Sequence, residues 1–169
     1  MTMYRFTGRD ASTETAERLT ATFETIRTQM EAHYRALPPD GDPIPQLFTG
    51  SGRILTPRPC NLAGDAKLAQ MESIRTHIER MGPAIQYAAL AVPSWLRSPD
   101  CHGDRTEVLM IWLEDRDGHL LTAQIPVHRS RGQPPVLGLG TPWVASGRHT
   151  MEGVLVGLFR NNATPIGVH

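Results

Sequence analysis

Cysteine, charge of one sign and long apolar runs are all scarce in this sequence. Cys60 and Cys101 are its only cysteines, too few for a disulfide framework or a zinc site of thiolates alone, so we expect two reduced thiols. No apolar run approaches the ~18 residues that cross a bilayer, and residues 1–10 lack the apolar core of a signal peptide. These absences predict a cytoplasmic protein with no membrane segment.

Net charge is also absent, because 17 basic and 17 acidic residues cancel and the pI is near 7.1. No overall field therefore draws the molecule toward nucleic acid or an anionic membrane. Lys67 is the only lysine, so nearly all basic groups are arginines, which suit carboxylate and phosphate. GC-rich genomes also favour arginine, and this composition suggests a bacterium or one of its mobile elements as the source.

A length of 169 residues fits a single domain, and 14 prolines with 15 glycines indicate long loops. The longest expected loop is the Pro/Gly-rich segment 38–59, which holds six prolines and three glycines. Its strand-like fragments are confined to 46–48 and 53–55. Loops beyond ~12 to 15 residues are usually functional or disordered, so we interpret this segment as a binding surface.

Two helices are well indicated. Asp10, Ser12 and Thr13 suit a helix start, and apolar residues then recur at three- and four-residue steps as far as Leu37. At ~37 Å, this helix is long enough to extend past the core. A second helix is predicted over 65–81, with Gly82 as its end. Residues 84–92 fit a helix or a strand, and we favour a strand.

The clearest pattern is a β-hairpin over 106–128, where two apolar runs flank an Asp-Arg-Asp-Gly turn at 115–118. If Glu114 and His119 close the loop, one face of the hairpin is apolar and faces the core. That face comprises Val108, Met110, Trp112, Leu121, Ala123 and Ile125. The opposite face is too apolar at one end to lie wholly in water, so we expect it to be covered.

A further short strand is predicted at 136–139, and 151–159 fits a closing helix or strand. The order of elements is helix, loop, helix and then a strand-rich second half. This segregation predicts an α+β fold, with an antiparallel sheet of about four strands, the hairpin at its centre, packed against two or three helices.

One polar loop before the hairpin carries reactive side chains, Cys101, His102 and Asp104. His128, at the end of the second hairpin strand, is expected nearby, which gives four candidate catalytic or metal-ligating groups. No CxxC, HxH or HExxH spacing supports them, and an exposed turn explains the same residues. The sequence identifies neither a metal nor a cofactor. The expected pair of Glu114 and His119 is read as a cross-strand ion pair rather than as an acid and base.

Arginines flank the glycine- and proline-rich stretch 132–147, with an aromatic residue available for stacking on a base. The candidate anion or nucleic-acid site comprises Arg129, Arg131, Arg148, His149 and Trp143. No GxGxxG or GxxxxGK[ST] motif is present, and solvated loop arginines explain the pattern more simply.

We therefore favour a protein-binding accessory or inhibitor module that acts by surface contact with a larger partner. The long loop, the long helix and the partly apolar outer sheet face offer more surface than one small core needs. The first alternative is a small enzyme, with or without a metal, using Cys101, His102, Asp104 and His128. The second is nucleic-acid binding through Arg129, Arg131 and Arg148, and the sequence specifies no oligomeric state.

Overall fold

The computed structural model describes residues 3–97, 104–139 and 143–167, without the side chains of residues 143 and 145. These residues form two α-helices and ten strands in an α+β arrangement, as predicted. The elements are β1 (Met3–Thr7), α1 (Thr13–Arg35), β2 (Gln46–Ser51), β3 (Ile54–Pro59), α2 (Ala66–Met81), β4 (Tyr87–Arg97), β5 (Arg105–Asp115), β6 (Leu120–His128), β7 (Val136–Leu137), β8 (Trp143–Ser146), β9 (Thr150–Gly153) and β10 (Ala163–Ile166). Within the described ranges, no helix is long and apolar enough to cross a membrane.

The strands form two antiparallel sheets, more than the four strands expected. The large sheet has the order β3-β2-β4-β5-β6-β7, and β8 also pairs with β6. The small sheet has the order β10-β1-β9. The predicted hairpin is confirmed as β5 and β6, and the strand favoured over 84–92 is confirmed as β4, which continues to Arg97.

The segment 38–59 is not a long loop, and that prediction was wrong. Residues 36–45 are irregular, but β2 and β3 form a hairpin through a turn in which Gly52 has a φ of 66°. β2 also pairs with β4, deep in the large sheet. Pro57 and Pro59 are tolerated because β3 is an edge strand, where an amide on the open side has no partner to lose.

Helix α1 covers one face of the large sheet. The Ser12 side chain accepts a hydrogen bond from the amide of Thr15 (3.2 Å) and so caps the helix. The buried residues of α1 run from Leu19 to Tyr34, and they pack on alternate residues of the hairpin: Leu109, Ile111, Leu113, Leu121, Ala123 and Ile125. Most of its length, about 34 Å, therefore lies over the core. Helix α1 does not extend past the core as we expected.

The hairpin register differs by one residue from the predicted register. Glu114 pairs with Leu120, not with His119, and Trp112 pairs with Thr122. The cause is a loop longer than the one predicted. One carboxylate oxygen of Asp115 stabilises this loop by accepting hydrogen bonds from the amides of Asp117 (3.0 Å) and His119 (2.8 Å). A slip of one residue exchanges the faces of a strand. Trp112 and Met110 therefore face away from α1.

The second face of the large sheet is covered by α2 and the C-terminal segment. Arg75 of α2 is 1% exposed, and its guanidinium donates to the carbonyls of Val154 (2.8 Å), Val156 (2.8 Å) and Gly157 (2.9 Å). It also donates to Glu72 (2.8 Å). This one side chain thus fixes residues 154–157 on α2.

We expect Arg75→Met to be strongly destabilising, because it leaves three carbonyls without their donor. The expected loss in the free energy of unfolding is roughly 3 to 5 kcal/mol, measured by urea denaturation followed by circular dichroism. Arg80→Met is the control, since Arg80 lies exposed in the last turn of the same helix. Equal losses in the two variants would contradict this account of the C-terminal segment.

Candidate functional site

A cavity of about 720 Å³ lies between the second face of the large sheet and the region of β9. Its sheet wall is formed mainly by alternate residues of three neighbouring strands. The lining residues include Leu90, Val92, Ser94, Met110, Trp112, Leu120, Thr122 and Gln124 on the large sheet, and His149, Thr150, Met151 and Leu155 opposite.

Strand pairing arranges the sheet wall in rows. Leu90, Trp112 and Thr122 form one row, and Val92, Met110 and Gln124 form the next. Neighbouring strands are ~4.8 Å apart, and successive rows on one face are ~7 Å apart. The wall is therefore a continuous apolar surface with an amide at one side of its outer row.

Burial changes from one end of the cavity to the other. Leu90 and Leu120 are each 1% exposed, whereas Met151 is 40% exposed and Gln124 is partly buried. The described residues of the lining include no Asp, Glu, Lys or Arg, and the titratable side chain among them is that of His149, an exposed residue. A concave, mainly apolar pocket with a few neutral polar groups is the usual form of a small-molecule site.

Trp112 connects the cavity to a buried carboxylate. Its ring meets that of Phe6 edge to face at 5.5 Å, and its indole N–H donates to Glu114 Oε2 (2.6 Å). Glu114 is 0% exposed and also accepts from the amide of Leu158 (2.8 Å) and from Asn162 Nδ2 (3.0 Å). Burial raises the pKa of Glu114, and these donors partly oppose the rise. Glu114 thus links the cavity wall to the C-terminal segment.

Two of the four predicted catalytic residues, Cys101 and His102, lie outside the described residues. Asp104 is exposed just before β5, and His128 is exposed at the end of β6. The imidazole of His128 lies beside Gly138, where an added Cβ would be 3.2 Å from Nε2. No contact joins Asp104 to His128 within the described part of the chain, and the enzyme hypothesis stays a prediction.

His119 pairs with Asp115, not with Glu114 as expected. Its Nδ1 lies 2.7 Å from the second carboxylate oxygen of Asp115. Asp115, Asp117 and His119 bring potential metal-ligand atoms within 4.8 Å of one another. Both oxygens of Asp115 already accept hydrogen bonds that shape the hairpin loop, so the group is explained as turn structure.

The predicted anion site is divided by the fold. Arg129 donates to both oxygens of Glu107 (2.5 and 2.8 Å) and to two carbonyls of the 36–45 connection. Arg148 and His149 follow β8, whose Ser146 pairs with Leu121 at the opposite end of β6, about 23 Å from His128 along the strand.

The other members of that set add no common pocket. Arg131 is exposed in the turn after β6, and the side chain of Trp143 is not among those that the structure describes. The arginine set does not form one site, and nucleic-acid binding stays a prediction from the sequence alone.

Sequence reasoning missed the cavity because it placed Trp112 and Met110 on the face covered by α1. On the observed face, Gln124 pairs with Met110 and Ser94 pairs with Val108. Both are polar residues beside apolar ones. A polar residue at an alternating position of a buried strand is the sequence signal that could have indicated the cavity. The signal can be used when the pairing register of β5 and β6 is known.

Comparison with protein-family models, with curated proteins and with solved structures yielded no match. The geometry of the cavity is therefore the basis on which a function is proposed below.

We expect Glu114→Gln to change how stability depends on pH. Because the pKa of Glu114 is raised in the folded state, the folded protein binds this proton more tightly than the unfolded chain. Its contribution is then fully present at low pH and is lost as pH rises from about 4.5, the ordinary value, through the raised pKa. The slope reaches up to about 1.4 kcal/mol per pH unit.

Urea unfolding of the wild type and Glu114→Gln, side by side from pH 4 to pH 8, measures this contribution, since other titrations cancel in the difference. We expect the stability of the wild type relative to the variant to fall with rising pH. A difference that stays constant over this range would show that Glu114 does not titrate as described.

Proposed function

We propose that this protein binds a neutral, mainly apolar small molecule in the cavity between its two sheets. The observation that carries the proposal is the cavity itself, about 720 Å³ with a largely apolar lining. Sites for small molecules commonly measure ~300 to 1,000 Å³ and are lined mostly by apolar and aromatic side chains. The sheet wall supplies both kinds of side chain, with Trp112 near its centre.

The cavity is partly open to solvent, since His149 and Met151 are exposed on its outer side, so it holds water or a ligand rather than a dry void. Its apolar wall favours a ligand, because transfer of apolar surface out of water is favourable.

The lining also restricts the charge of the ligand. Burial of an unpaired charge costs several kcal/mol, and among the lining residues that the structure describes there is no Asp, Glu, Lys or Arg to pair with one. His149 lies on the exposed side and is already 3.2 Å from the carbonyl oxygen of Ser146. A neutral molecule therefore fits this site better than an anion or a cation.

The cytoplasmic location expected from the sequence forms part of this proposal. Cys60 is buried, and burial raises the pKa of its thiol to about 11. The thiol therefore stays protonated at neutral pH and reacts slowly with oxidants, which suits a reduced, structural cysteine.

The proposal is tested by titration with the neutral fluorophore N-phenyl-1-naphthylamine, whose emission rises in apolar surroundings. We expect saturable binding to the wild type and at least about tenfold weaker binding to Val92→Trp, which fills the outer row. Ile54→Trp is the matched control, since Ile54 is 78% exposed on the edge strand. Absence of saturable binding to the wild type, or equal loss in both variants, would refute the proposal.

A second candidate function is the surface contact with a larger protein that we favoured from the sequence. The argument from the 38–59 segment and α1 is weakened, since β2 pairs within the large sheet and the apolar side of α1 packs on the chain's own core. What favours it is Trp95, which is 59% exposed, beside Leu96, which is 37% exposed, near the end of β4. Tryptophan is prominent among residues that dominate the binding energy of protein interfaces.

This second candidate is tested by affinity capture from the native host with three tagged proteins. The wild type and Leu139→Ala are expected to retain one stoichiometric partner, which Trp95→Ala loses. Leu139 is the control because it is 91% exposed and lies far from β4 along the chain. A partner retained equally by all three proteins would rule out the Trp95 surface.

A further inference from the structure

We infer that Gln124 recognises the polar end of the ligand, and that the cavity takes an apolar molecule carrying a hydroxyl or carbonyl group. This inference rests on the proposed function, because it assigns a chemical class to the ligand of the same cavity.

Gln124 lies on the cavity face of β6. Its two neighbours in the strand, Ala123 and Ile125, are both 0% exposed and belong to the core beneath α1. Since successive side chains of a strand point to opposite faces, the side chain of Gln124 points away from α1. It lines the cavity opposite Met110, in the same row as Val92.

The amide of Gln124 is partly buried but makes no side-chain hydrogen bond within the described residues. A glutamine amide can donate two hydrogen bonds and accept two more. Ser94, by contrast, donates to the carbonyl of Val92, although at 3.4 Å. Gln124 is therefore a polar group on an apolar wall with both its donors and its acceptor available to a ligand.

The neighbouring surfaces indicate how a ligand lies. The row inward from Gln124 contains Trp112 and Leu90, about 7 Å deeper along the strands. An apolar body against Trp112 places a hydroxyl or carbonyl, attached at its outer end, beside the Gln124 amide. A ligand with no such group offers that amide no hydrogen bond and displaces water from it, which lowers affinity.

The simplest competing explanation is that Gln124 is hydrated beside the open end of the cavity and does not contact the ligand. The two explanations differ in selectivity. Direct recognition makes the preference for a hydroxylated ligand depend on Gln124, whereas hydration leaves that preference unchanged when Gln124 is replaced.

The test is competition for bound N-phenyl-1-naphthylamine by naphthalene and by 2-naphthol, which share a ring system and differ by one hydroxyl. We expect the ratio of their affinities to shift against 2-naphthol by about 3- to 10-fold in Gln124→Leu, the effect of one net hydrogen bond. Naphthalene itself should bind the variant as well as, or better than, the wild type. Gln133→Leu, at an exposed turn residue, is the control and should keep the wild-type ratio.

Gln124→Met provides a second, unbranched replacement, and circular dichroism confirms that each variant is folded. If the fluorophore binds and the ratio is unchanged in both Gln124 variants, the inference is overturned while the proposed function stands. If the fluorophore does not bind the wild type at all, the proposed function fails and the inference fails with it.

Discussion

The register in which β5 pairs with β6 determines both faces of the large sheet. It places Leu113, Ile111 and Leu109 beneath α1 and leaves Trp112 and Met110 for the opposite face. The side chain of Asp115 stabilises this register by accepting hydrogen bonds from two backbone amides of the loop. Because side chains alternate along a strand, a slip of β6 by one residue would move all of its core-facing side chains to the cavity wall.

The sequence predicted those elements whose patterns are long and local. Both helices, β4 and the β5–β6 hairpin follow from periodicity, caps and turn residues close to each strand or helix. The small sheet did not, because β1 pairs with β9 and β10, which lie far away in the chain. Such short strands carry little periodicity of their own, and their partners give them their structure.

The error at 38–59 came from the interpretation of proline. Pro57 and Pro59 were treated as strand breakers, yet they belong to β3, which pairs on one side alone. Gly50 was likewise counted as a loop residue, although a Cβ there would clash with the carbonyl of Ile54 across the hairpin. Both residue types marked an edge hairpin rather than a loop, a distinction that requires the neighbouring strand to be known.

The candidate sites also depend on strand pairing that the sequence does not show. Proximity in sequence suggested that Arg129 and Arg148 act together, but Arg129 is occupied by Glu107 and Arg148 follows the far end of β8. The cavity could not be foreseen from any one segment, since its walls come from β4, β5, β6 and β9. The residues that line the cavity can be read in the sequence, but the cavity itself forms when these four strands are brought together in the fold.

The way the C-terminal segment is attached explains why a space of this size persists in a small domain. Arg75 donates hydrogen bonds from α2 to the carbonyls of Val154, Val156 and Gly157, and Glu114 accepts hydrogen bonds from the amide of Leu158 and the side chain of Asn162. β9 in turn is paired with β1 rather than with the large sheet. The cover is thus fixed by polar contacts at its anchoring points and need not collapse onto the sheet between them. A ligand can enter that space without breaking any of these contacts, which is the condition for a largely preformed site.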